Sequence, residues 1–186
     1  MVRTGPGGLF KWGCVMVLGS ADGNYKVGDT GPGGGIVFYD AGSVQPWGRY
    51  LEAAPAGWSG VDDPMDVWCD DSSLEVAGTE TTIGAGAANT KLITAACGSG
   101  AANTVRDYDG GGKTDWFLPS KDELNALHKQ RDILGGFGAD NYWSSSQYDA
   151  VNAWNQYFPD GNQYNYNEFT GRENPPADGV RPVRAF

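Results

Sequence analysis

The 186-residue sequence holds one histidine, His128, and three cysteines, Cys14, Cys69 and Cys97. Spread over positions 14, 69, 97 and 128, these residues have none of the closely spaced Cys or His pairs of a familiar zinc site, and three cysteines are too few for a disulfide scaffold. Cys69 and Cys97 can pair in an oxidising compartment, or both can remain buried thiols. Basic residues are scarce as well: 13 Lys and Arg stand against 23 Asp and Glu, a formal charge of -10. Phosphate backbones and anionic membranes require clustered cations that displace counterions, so the charge excludes nucleic acid as a direct ligand. No apolar run reaches the ~20 residues of a membrane-spanning helix, so no membrane span is expected. The stretch 9–21 follows Arg3 and has a short apolar centre, but Lys11, Gly13 and Gly19 interrupt it. Residues 1–24 therefore read as an N-terminal arm or a weak signal-like segment.

What is present points to one folded, loop-rich domain over residues 25–186. Hydrophobic residues make up 40% of the chain, too many for a disordered one, and 29 glycines with 10 prolines punctuate it with turns. "GDTGPGGGIVFYD", residues 28–40, is a glycine-proline turn leading into a strand at 36–39, and "RYLEAAP" is its hairpin partner. Residues 57–84 lack a sustained period and read as irregular loop. In "GAANTKLITAACG", Ala88, Leu92, Ile93 and Ala96 share a helical face ended by Gly98. A short helical piece follows at 101–108, and a strand is expected at 115–118. "SKDELNALHKQRDIL" opens with the capping box of Ser120 and Glu123, and Leu124, Leu127, Ile133 and Leu134 give it an apolar stripe. Beyond Gly138 short strands alternate with turns, and the closing "GVRPVRAF" can pair with the early "GIVFYD". Helices in the middle and strands at both ends make the fold class α+β.

Catalytic and metal signals are weak. "GPGGGI" has a strand after it rather than the helix a phosphate loop requires, so it reads as a turn. Asp107, Asp109 and Asp115 alternate like calcium ligands, yet no bidentate glutamate closes the loop, and a solvated turn is the stronger reading. Asp160, Asn162, Asn165 and Glu168 likewise fit a hairpin tip better than a cation site. His128 reads as a surface histidine of its helix, with no nucleophile placed beside it. Ser144, Ser145 and Ser146 are expected to satisfy backbone groups near a strand end. No catalytic residue and no cofactor is expected.

One stretch stands apart. Residues 142–169 contain no Lys or Arg, and residues 141–174 hold five of the nine tyrosines and seven of the eleven asparagines. Tyrosine supplies stiff, amphipathic contact area and asparagine adaptable hydrogen bonds, the mixture that antibody paratopes use. In "NQYNYNE", Tyr164 and Tyr166 alternate with Asn165 and Asn167, so a strand places both tyrosines on one face. The alternative is that these rings pack in cross-strand pairs. Trp143 and Trp154 have the size of core anchors.

The phrases "GDTGPGGGIVFYD", "YLEAAP", "AANT", "TDWFLPSKDEL", "YWSSS", "AWNQYF", "GNQ" and "VRPVRAF", in this order from Gly28 to Phe186, resemble a C-type lectin-like domain family. Members occur in bacterial surface lipoproteins and as variable proteins of diversity-generating retroelements. The resemblance implies a C-type lectin fold with two helices, small antiparallel sheets, paired terminal strands and a ligand face in the final third. In such retroelements template adenines are miscopied, so asparagine codons scatter into Tyr, Asp, Ser, Phe and Val. The resemblance then implies a variable region over 141–186, with diversified positions at Tyr148, Asp149, Val151, Asn152, Asn155, Tyr157, Asp160, Tyr164, Asn165, Tyr166 and Asn167. Trp143, Ser144, Trp154, Phe158, Gly161 and "VRPVRAF" would be scaffold. The implied partner is a macromolecule, most simply a protein, met at a cell surface or virion; the oligomeric state is left open. An assembly domain with a fixed partner is the alternative. The segment 168–179 departs from the pattern in its length and proline content. The sugar-holding triplets of calcium-dependent lectins are missing, as is the later cysteine pair of the related formylglycine-generating oxidases.

Overall fold

A computed structural model describes residues 23–138, 140–167 and 178–186, with only the backbone described at Tyr166 and Asn167. The described residues form an α+β structure. Strands β1 (Ile36–Gln45), β2 (Gly48–Ala53) and β8 (Val183–Ala185) make a small sheet in the order β1-β2-β8. A second sheet runs β3-β7-β4-β5-β6, from β3 (Met65–Asp66), β4 (Asn141–Asp149), β5 (Asn152–Tyr157), β6 (Gln163–Asn167) and β7 (Asp178–Gly179). Between them in sequence lie helices α1 (Gly86–Ala96), α2 (Ala101–Arg106), α3 (Lys121–Lys129) and α4 (Arg131–Leu134).

The closing strand pairs with β2 rather than with β1, correcting the expected partner. Leu51, Glu52 and Ala53 of β2 are all fully buried. A strand so enclosed needs partners on both edges, and Glu52 sits directly opposite Arg184 in the β2–β8 register. The Glu52 carboxylate accepts from Arg184 Nη1 at 2.9 Å, from Gly33 N at 2.9 Å and from Gly35 N at 3.0 Å. The glycine loop therefore cradles a carboxylate of its own chain. A Cβ on Gly33 would lie 2.7 Å from Glu52 Oε1 and 2.8 Å from the Trp116 ring, so that position has no room for a side chain.

Four helices are present among the described residues, not two. The apolar stripe expected to run through residue 134 breaks at Gln130 (φ -108°, ψ 12°), which ends α3 and starts the single turn of α4. The break turns Ile133 outward, 54% exposed, while Leu134 stays buried. The capping box forms as expected: Ser120 Oγ accepts from Glu123 N, and Ser120 N donates to Glu123 Oε2 at 2.7 Å. Glu123 also accepts from Gly84 N at 2.8 Å; burial raises its pKa, against the pull of these backbone donors. His128 is not a surface residue. It is buried, with Nε2 3.0 Å from the Phe158 carbonyl oxygen and its ring edge-on to Phe158. The strand expected at 115–118 reduces to one bridge, Phe117 with Val183.

Two apolar clusters fill the interior. One gathers Trp68, Ile93, Val105, Leu118 and Trp143; the other gathers Phe38, Leu51, Phe117, Leu127, Tyr142 and Phe158. Cys69 and Cys97 form a disulfide that ties the segment after β3 to the end of α1. A buried ion pair, Arg181 with Asp63 at 2.6 Å, anchors the approach to β8, and Asp63 also accepts from Tyr142 Oη and Trp58 Nε1.

Candidate surface on the outer hairpins

Strands β4, β5 and β6 are consecutive antiparallel neighbours, so the register fixes which side chains share a face. Trp154 lies opposite Asn165, Asn152 opposite Asn167, and Gln156 opposite Gln163. These positions form one face, to which α3 is docked: Gln156 Nε2 donates to Asn125 Oδ1 and Gln163 Nε2 to the Lys121 carbonyl. Asn155 lies opposite Tyr164 and Ala153 opposite Tyr166, on the other face, which also carries Tyr157 by alternation. Tyr164 and Tyr166 thus occupy equivalent positions, as expected. The eleven selected positions, however, divide between two faces and the hairpin tips.

The turn joining β4 to β5 is exposed. Tyr148 is 55% exposed and Val151 41% exposed. Asp149 shapes the turn by accepting from Val151 N at 3.0 Å and from Asn152 Nδ2 at 2.8 Å, and the Val151 bond leads in holding its carboxyl below the usual range. At the far end of β5, Asp160 accepts from Asn162 N at 2.9 Å, an Asx turn with Gly161 at its centre at φ +80°. A Cβ on Gly161 would stand 2.4 Å from His128 Cε1, which fixes glycine there for packing as well as for backbone conformation. Asn165 is exposed, and Asn152, Tyr157 and Tyr164 are half-buried.

Two sequence assignments require correction. Asn155 is buried, with Nδ2 donating to Asp178 Oδ2 at 2.7 Å, so it has no surface to offer a ligand. Asp178 is itself buried, and that desolvation, with Asp140 nearby, raises its pKa to about 6 despite the Asn155 bond. Trp154, expected to be a core anchor like Trp143, is half-buried on the α3-docked face instead. Lys121 Nζ sits 3.6 Å from the centre of its ring and Tyr148 meets it edge-on at 5.4 Å. The signal was in the sequence: Trp154 stands two residues from Asn152 and therefore shares its face. Trp143, by contrast, is the core anchor expected, 1% exposed with Nε1 donating to the Asp66 carbonyl.

Two of the three serines bond backbone carbonyls as anticipated, and the third meets a side chain. Ser144 Oγ donates to the Trp154 carbonyl at 2.7 Å, Ser146 Oγ donates to the Glu80 carbonyl, and Ser145 Oγ accepts from Asn89. The three aspartates weighed for calcium do not gather. Asp115 is taken by Arg184, and Asp107 lies beside Arg106. Among the described residues the single cluster of three acidic, thiol or imidazole ligand atoms is Cys69, Asp70 and Cys97, whose sulfurs are already bonded to each other. Residues 168–177 and Cys14 lie outside the described residues. The chain matches no protein-family model and no curated protein.

Proposed function

We propose that this chain is a non-enzymatic binding protein that displays a diversified Tyr- and Asn-rich surface on a C-type lectin-like scaffold, the variable protein of a diversity-generating retroelement. One observation carries the reading. The phrases assigned to the frame engage one another through buried contacts, whereas Tyr148, Asp149, Val151, Asn165 and Asp160 project from hairpins that those contacts leave exposed. Glu52 of "YLEAAP" is held by the glycine loop and by Arg184 of "VRPVRAF". Thr90 of "AANT" accepts from Leu118 N of "TDWFLPSKDEL", and Ser144 and Ser146 of "YWSSS" donate to the Trp154 and Glu80 carbonyls. Exposed side chains on a rigid frame can be exchanged with little effect on folding, and aromatic residues among them supply most of the binding energy. The partner is a macromolecule, in the first place a protein, reached at a cell surface or on a virion. The disulfide fits an oxidising location of that kind.

The test is to sequence the DNA flanking the gene for a near-copy of the codons for 141–186. A copy that differs only where it carries adenines supports a diversified face and names its positions. A flanking sequence without one leaves a fixed partner or self-assembly, and light scattering across concentrations then separates those two.

A further inference from the structure

A cleft of about 290 Å³ lies between α1, α2 and the segment 114–117, and it takes no lining residue from 141–186. Its size is close to the lower end of the ~300–1,000 Å³ of small-molecule sites. The floor is aromatic: Trp116 and Phe117 line the cleft although both are almost fully buried. Trp116 Nε1 is already committed to the Gly110 carbonyl at 3.1 Å, so the indole offers carbon to the cleft. One face of α1 forms a wall, because Ala87, Lys91 and Thr94 stand three and four residues apart. Thr90 Oγ1, on the same face, accepts from Leu118 N at 3.0 Å and ties this wall to the segment that makes the floor.

The cleft carries two cations, one from each helix, in a chain whose net charge is -10. Lys91 Nζ makes no ion pair among the described residues. Arg106 approaches Asp107 only through Nε, at 3.6 Å, which is beyond hydrogen-bond reach. Asp115, the one acidic residue of the lining, is held by Arg184. An apolar floor beneath two uncommitted cations is complementary to a molecule with a flat apolar body and one carboxylate: the floor takes the body, and the ammonium and the planar guanidinium take the two oxygens.

We propose that this cleft binds a free small aromatic carboxylate, its ring on Trp116 and Phe117 and its carboxylate between Lys91 and Arg106. The proposal goes beyond the surface reading above and does not rest on it. Every residue it uses precedes the region expected to vary, so the site is common to all forms of the hairpins.

The probe is indole-3-acetate, titrated into the isotope-labelled full chain and followed by amide and indole NMR shifts, with indole-3-acetamide as a neutral control of the same shape. Expected are saturable shifts at Thr90, Lys91, Thr94 and the Trp116 indole, with a dissociation constant of about 1 mM or lower. Binding should be about tenfold weaker or worse for the acetamide, and likewise for the acetate in Lys91→Gln and Arg106→Gln, each of which removes one charge-assisted contact. Lys129→Gln, outside the cleft, should bind as the parent does. Unchanged spectra away from the cleft verify that each variant is folded, and the two probes compared in the parent chain decide the matter without any variant. Equal affinity for the two probes, shifts spread over the surface, or no saturation by about 10 mM would overturn the proposal. An N-acetylated, C-amidated tryptophanyl-glutamate carries the same ring and a carboxylate on a backbone. If it bound more tightly than indole-3-acetate, the cleft would belong to a protein partner and the free ligand would be rejected.

Discussion

Replacing Glu52 with Gln tests whether the frame depends on one buried carboxylate. Glu52 is fully buried and both of its oxygens are used: Oε1 accepts from Arg184 and Gly33, and Oε2 from Gly33 and Gly35. Glutamine keeps the volume but offers one acceptor and one donor, so in either orientation its NH2 faces a donor. A lost hydrogen bond to a charged group is worth about 1.5–3 kcal/mol, and breaking a buried ion pair about 3–5 kcal/mol. Arg184 retains Asp115, which softens the second effect. The expected loss is therefore about 2–4 kcal/mol, or a fall in Tm of roughly 5–15 °C for a domain of this size. Thermal unfolding followed by circular dichroism reads it directly. Asp115→Asn is the internal control: Asp115 is 57% exposed, and an exposed half of a pair contributes about 1 kcal/mol or less. A Glu52→Gln variant melting within about 2 °C of the parent, or an Asp115→Asn variant that loses as much, would refute the reasoning.

Two further perturbations address other parts of the frame. The Cys69–Cys97 disulfide closes a sequence separation of 28 residues, for which loop-closure entropy gives about 3–4 kcal/mol; reduction should lower the urea midpoint accordingly, and an unchanged midpoint would contradict the crosslink. Asp178 has its folded pKa raised to about 6 from an ordinary 3.8, so it favours the folded state fully below pH 3.8 and loses that contribution as pH rises through 6. Asp178→Asn should flatten the stability profile between about pH 4 and 6 and raise stability at pH 7 to 8 by roughly 3 kcal/mol; a parallel profile in the variant would show that Asp178 does not titrate there.

Local signals in the sequence identified the elements that local chemistry controls. The Ser120–Glu123 box started α3 where expected, and Gly98 followed the end of α1 by two residues. Elements that depend on distant partners were harder to read. The pairing of β8 with β2 rests on Glu52 and Arg184, 132 residues apart, and no periodicity encodes that contact. His128 has a helical neighbourhood that suggests exposure, and only the arrival of Phe158 and Gly161 buries it. Asn155 looks in sequence like its neighbours Asn152 and Asn165. What separates them is Asp178, brought alongside by β7. Which asparagine of this segment points outward was set by strand register and by the third dimension, not by composition.

The position of β8 has a consequence for how the chain matures. Its pairing strand β2 is synthesised early, while β8 follows β4, β5 and β6 in the chain. Contacts of such long range form late, because the intervening loop must close before they contribute. The small sheet therefore stays unfinished on the ribosome until every residue of the hairpins has been translated. A stop codon or a frameshift anywhere within 141–178 removes the closing segment with Arg181 and Arg184, leaving Asp63 and Glu52 without their counterions. Such a product is open to proteolysis, so the molecules that survive are those whose reading frame is intact through residues 141–178.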